Sequence, residues 1–184
     1  MVYIFEMVYI KKPFLYSDLL DKKTLICGPP GCGKTTLLNN IKSAIYNEFN
    51  ADNRITIDRG VPIDNILSKK LNIIQQFVLP ESRDRFLCTI DDAYQFTTRF
   101  PYMHNFTLVI STQYLDDICN ADDSLKIDFD YIFMTKKIGS EDDKILHNCK
   151  LITDQLDRYQ FAVFRKMPEQ TEKYKICNIV ETFV

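Results

Sequence analysis

The residues Gly28-Pro29-Pro30-Gly31-Cys32-Gly33-Lys34-Thr35 carry the pattern G-x-x-x-x-G-K-[ST] in full. The chemistry that needs these types at this spacing is the holding of a polyphosphate. Glycines let backbone N–H groups turn inward around a phosphate with no Cβ in the way. A helix starting near Lys34 would add the partial positive charge of its N-terminus. In such a loop Lys34 reaches the β- and γ-phosphates and the Thr35 hydroxyl ligates Mg²⁺. Thr36 can offer its hydroxyl to the α-phosphate. A glycine-rich turn could spell the same letters by chance. Here an apolar run, Thr24–Cys27, precedes it, and Leu37, Leu38, Ile41, Ala44 and Ile45 follow at helical spacing over residues 34–49. The pattern names nucleotide binding and is silent on what the nucleotide drives.

A second cluster of reactive side chains follows the apolar run Phe86–Ile90, which ends in Asp91-Asp92. In a parallel sheet such a run delivers its last carboxylates to the C-terminal edge, where ligands bind. Asp91 there would hold Mg²⁺ through water, and Asp92 would orient or deprotonate the attacking water. A strand followed by Asp at a helix N-cap gives the same letters. The next apolar run, Thr107–Thr112, ends at Gln113. If the two strands are neighbours, the Gln113 amide can sense the γ-phosphate and help position water. The alternative is a surface glutamine at a strand end.

The elements that must position these groups read as alternating apolar runs and amphipathic stretches. Strands are expected at 24–27, 54–57, 86–90, 107–112, 131–135, 159–165 and 174–183. Helices are expected at 34–49, 63–74 and 141–156. Runs apolar throughout, separated by helices, indicate a mainly parallel sheet with helices on both faces, an α/β class. The polar stretch Pro168–Lys173 joins the last two runs as an antiparallel C-terminal hairpin. No Gly/Ser linker divides the 184 residues, so residues 1–184 are expected to form a single domain.

Composition narrows the partners. The net charge is −2, so no global positive field draws in nucleic acid. Residues 91–130 are acidic, with only Arg99 and Lys126 as fixed positive charges. Six cysteines occur without a C-x-x-C pair, which argues against zinc and suits a reducing compartment. Cys27, Cys88 and Cys177 read as small core residues. Glu6 interrupts the apolar N-terminus, and neither a signal peptide nor a membrane span is expected.

A P-loop, an apolar strand ending Asp91-Asp92, a strand ending Ser111-Thr112-Gln113-Tyr114, and an Asp130-Tyr131-Ile132-Phe133 strand occur in that order. In this order they resemble the FtsK–HerA superfamily of DNA-pumping ATPases, and within it the poxvirus-type genome-packaging ATPases of large DNA viruses. The resemblance runs from about Thr24 to the end. It implies a RecA-like core, ATP and Mg²⁺ as cofactors, and a homo-oligomeric ring moving double-stranded DNA into a viral capsid with other packaging proteins. It also implies a place in the host cytoplasm or virion. Such ATPases carry an Arg-His pair shortly before the glutamine strand, the Arg serving the neighbouring subunit; here the pair is Met103-His104. Arg99 could replace it. Three other classes stay open. A nucleotide kinase would want an arginine-rich lid, and the late arginines are only Arg158 and Arg165. A GTPase would want a terminal Asp that Thr135-Lys136-Lys137-Ile138 lacks. A nucleotide-gated assembly subunit with weak hydrolysis fits the missing Arg.

Overall fold

The computed structural model describes residues 13–57, 84–93, 105–113, 129–135, 154–167 and 174–182. The expected helix at 63–74 lies outside them, as do Arg99, Met103, His104 and Lys126.

Seven strands form one sheet. They are β1 (Lys23–Cys27), β2 (Arg54–Ile57), β3 (Phe86–Ile90), β4 (Phe106–Thr112), β5 (Tyr131–Met134), β6 (Gln160–Lys166) and β7 (Tyr174–Glu181). Their spatial order is β2-β3-β4-β1-β5-β6-β7. The first five in that order pair parallel, and β6 and β7 add an antiparallel pair beside β5. The order reverses around β1: the chain leaves it toward β2, β3 and β4, then crosses to β5 on its other side. The loop after β1 therefore opens at a topological switch point, where α/β sheets bind ligands.

The apolar runs have the expected cause. Every residue of β3, β4 and β5 is buried, so each face of the sheet must be covered. One face packs Ile26, Leu87, Val109, Phe133 and Phe161 against Leu37, Leu38, Ile41 and Ile45 of the helix α1 (Lys34–Ile45). The other face joins Leu25, Ile55, Cys88, Leu108, Ile132 and Phe164 in a second core.

Three details depart from the sequence reading. α1 stops at Ile45, not 49, because the chain tightens into a 3₁₀ turn over Tyr46–Glu48. Phe49 then turns extended and buries its ring, and the Arg54 guanidinium stacks 3.6 Å over Tyr46. The described tail of the helix expected at 141–156 is not helical. Asp154 and Gln155 form a turn, and Leu156 enters the core opposite α1. A turn at Asp157 closes it, with Gln160 N–H donating to Asp157 O at 3.1 Å. Cys27 and Cys88 are core residues as read, but Cys177 is only half-buried and donates to Val163 O at 3.4 Å.

The Asp130-Tyr131 pair braces the far end of the sheet. Asp130 Oδ2 accepts the Lys23 N–H at 2.8 Å where β1 begins, and Tyr131 packs its ring edge-on against Phe14.

Candidate functional site

The loop between β1 and α1 is shaped by two crowded glycines. A Cβ at Gly28 would collide with the Thr135 side chain and lie 2.8 Å from Cys32 Sγ. Gly33 is the N-cap of α1 in the left-handed region, φ 96°. A Cβ there would lie 2.5 Å from Thr182 Oγ1 and 3.3 Å from Tyr159 Cδ1. The loop is thus wedged between the end of β5 and the end of β7. Gly33→Ala combines this clash with an unfavourable φ and should cost about 1–3 kcal/mol. Gly31 has positive φ but open space around it, so Gly31→Ala should cost only about 1–2 kcal/mol. Urea unfolding of the two variants checks the order.

Lys34 is buried, and its Nζ donates to Gly28 O at 2.7 Å and Pro29 O at 3.0 Å. The ammonium is held inside the loop by carbonyls that a phosphate oxygen would replace. Cys32 points into the core beside α1. Burial pushes its thiol above the ordinary value, outweighing the downward pull of the Lys34 charge. At neutral pH the thiol is therefore neutral, buried beside α1.

The acidic pair lies directly opposite. β3 and β4 are parallel neighbours, with Ile90 beside Ile110, so the residues following each strand meet. Thr35 Oγ1 donates to Asp91 Oδ2 at 2.9 Å and lies 3.2 Å from Oδ1. Ser111 Oγ donates to Asp91 Oδ1 at 2.6 Å and accepts the Asp92 N–H at 2.7 Å. Asp92 sits at φ 53°, a left-handed conformation that Asp tolerates better than most residues. That twist turns its carboxylate toward Gln113, whose Nε2 donates to Oδ1 at 3.1 Å and Oδ2 at 3.2 Å.

These groups border one cleft of about 300 Å³, lined by Pro30, Gly31, Gly33, Lys34, Thr35, Thr36, Asp91, Asp92, Gln113 and Tyr159. Six of the nine loop residues singled out in the sequence reach it. Gly28 and Pro29 instead hold Lys34 through their carbonyls, and Cys32 packs inward. The chain motif and the cleft agree with a model described as an AAA domain, which matches residues 17–176. The chain belongs to this AAA domain family of P-loop ATPases. No curated protein matches it.

Solved structures share the fold. The genome packaging NTPase B204 from Sulfolobus turreted icosahedral virus 2 in complex with ATP-gammaS is 12% identical, with a TM-score of 0.56 over 85% of this chain and 96% of that one. Its sulfate complex is 14% identical, with a TM-score of 0.55 over 88% and 98%. The DNA-packaging ATPase B204 from Sulfolobus turreted icosahedral virus is 15% identical, with a TM-score of 0.56 over 85% and 97%. At these identities the likeness is one of fold.

Sequence reasoning missed two residues at this cleft. Ser111 fixes both aspartates, yet it reads as one more strand residue. Its signal is register: it follows Ile110, the partner of the last residue of β3. Tyr159 reads as a strand start but precedes β6 in a left-handed turn, φ 72°, and lines the cleft. Its position has no local signature in the sequence.

Proposed function

We propose that this chain is an ATP-hydrolysing motor subunit that translocates DNA during viral genome packaging, of the FtsK–HerA type. The observation that carries the reading is the cleft itself. It sets Lys34 and Thr35 of the phosphate loop against Asp91, Asp92 and Gln113, the two walls joined by the Thr35–Asp91 bond. The fold neighbours named for packaging support the biological setting. Residues 1–184 are read as one ATPase domain working in a homo-oligomeric ring on double-stranded DNA, with capsid or packaging proteins as partners. Among the described residues no helix is long and apolar enough to cross a membrane.

The oxygen donors fit Mg²⁺, a hard cation that takes one or two protein oxygens and completes its shell with phosphates and water. Thr35 gives its hydroxyl proton to Asp91, which leaves the Thr35 oxygen lone pairs free to face a cation. Asp91 is itself held by Ser111. Bound Mg²⁺ would neutralise charge on the β- and γ-phosphates. Thr35 would hold it directly and Asp91 through water. Lys34 would swing from the Gly28 and Pro29 carbonyls to the β- and γ-oxygens, and Thr36 would meet the α-phosphate. Asp92, oriented by Gln113, would align water for in-line attack on the γ-phosphorus and accept its proton. The bond to the β,γ-bridging oxygen breaks, giving ADP and inorganic phosphate.

Lys34→Ala should weaken Mg·ATP binding about 100-fold, the worth of a charge-assisted bond of ~3 kcal/mol. Titration calorimetry beside circular dichroism separates lost affinity from lost fold. Wild-type affinity in the variant would end the phosphate-loop assignment. Turnover with and without double-stranded DNA, at several protein concentrations, tests the motor reading. DNA stimulation supports it, and phosphate transfer to a nucleoside would replace it with a kinase.

A further inference from the structure

The cleft has two ends, and the phosphate chemistry uses only one. Along the C-terminal edge of the parallel strands stand Asp91-Asp92 after β3, Gln113 after β4 and the phosphate loop after β1. Next along that edge come β5 and then β6. Because β6 is antiparallel to β5, its start lies at this same edge, with Ala162 beside Met134. Tyr159, the residue before β6, therefore lines the cleft at the end away from Gln113. From β4 to β6 is three strand spacings, roughly 14 Å, comparable to the reach from a terminal phosphate to a nucleobase.

The tyrosine is held there by its own backbone. Its carbonyl accepts the Thr182 N–H at 2.9 Å and the Thr182 hydroxyl at 3.2 Å. The turn at φ 72° aims the ring beside Gly33, where any Cβ would crowd it. The Arg158 guanidinium lies 4.9 Å from the ring centroid, and Arg158 is not part of the cleft wall. Its guanidinium is thus a ring partner that does not itself line the cleft.

We propose that Tyr159 is the nucleobase platform of this site: the purine of the bound triphosphate stacks on its ring, backed by Arg158. The inference rests on the proposed nucleotide site and adds which side of the cleft takes the base. Stacking tolerates any purine because each presents a π-face, so Tyr159 contributes affinity, not a choice between adenine and guanine.

The test compares a ligand that has a base with one that lacks it. Mg·ATP and Mg·tripolyphosphate are titrated against wild type, Tyr159→Phe and Tyr159→Asn. Asn removes the ring yet tolerates the left-handed backbone. Tyr159→Asn should raise the Kd for ATP about 10- to 100-fold, leave tripolyphosphate unchanged, and be rescued by Tyr159→Phe. In wild type, 2-aminopurine riboside triphosphate should lose fluorescence on saturation, a measurement that needs no variant to fold. Unquenched fluorescence, equal wild-type Kd for ATP and tripolyphosphate, or equal loss of both ligands in Tyr159→Asn would each overturn the platform while leaving the phosphate site standing. Wild type that binds neither ligand overturns the nucleotide site and the platform together.

Discussion

Asp92→Asn should still bind Mg·ATP within a few-fold of wild type and lose 10²- to 10⁴-fold in turnover, about the range of a positioned general base. The substitution suits the site for three reasons. Asn keeps the size of Asp and accepts one of the two contacts from Gln113 Nε2. It tolerates the φ of 53° at this position as well as Asp does, so the turn after β3 should survive. The Asp92 N–H bond to Ser111 Oγ belongs to the backbone and is untouched. What is lost is the second carboxylate oxygen, which in the proposed mechanism accepts the water's proton. Asp91→Asn gives the contrast. It weakens the grip on Thr35 and should shift the Mg²⁺ concentration needed for half-maximal rate. Phosphate release under saturating ATP, followed over Mg²⁺ concentration, distinguishes the two. Turnover by Asp92→Asn equal to wild type would move the base elsewhere in the cleft.

The sheet and the core of the site are legible in the sequence because local rules govern them. β3 is buried at every position because both faces of the sheet are covered, and only Thr89 interrupts its apolar run before Asp91. The phosphate loop is legible because glycine is demanded by crowding at Gly28 and by φ at Gly33. What is not legible depends on long-range neighbours. Ser111 looks like any strand serine until β3 and β4 are set side by side. Thr135 and Thr182 press on the loop from β5 and β7, and no motif links them to it. Tyr159 belongs to the cleft because β6 runs antiparallel, a fact of topology and not of the Arg158-Tyr159 dipeptide. The helix ends expected at 49 and 156 depart from the structure for one reason. A buried Phe49 and a buried Leu156 pull the chain away from helical geometry for the sake of the core.

Arg99→Ala should lower turnover about 10³- to 10⁵-fold, the worth of an inserted arginine in phosphoryl transfer, and the loss should be repairable by another subunit. γ-Phosphate cleavage spreads negative charge over equatorial oxygens. Among the described residues that line the cleft, only Lys34 is cationic, and Asp91 and Asp92 add carboxylates. An arginine given in trans would bring further positive charge to the γ end. Arg158, among the described residues, stacks on Tyr159 at the opposite end of the cleft. The FtsK–HerA resemblance implies an arginine given in trans from just before the glutamine strand, where this chain has Met103. Arg99 lies four residues earlier, one turn if that segment is helical, and its long fork could reach the same place. Specific activity should then rise with protein concentration as subunits assemble. Mixing Arg99→Ala with Asp92→Asn should restore turnover that neither has alone, because some interfaces then pair an intact carboxylate with an intact arginine. A surface arginine that only pairs with local acids predicts neither result. Full activity in a dilute monomer, or no loss in Arg99→Ala, would sink the trans arrangement and pass the role to Lys126.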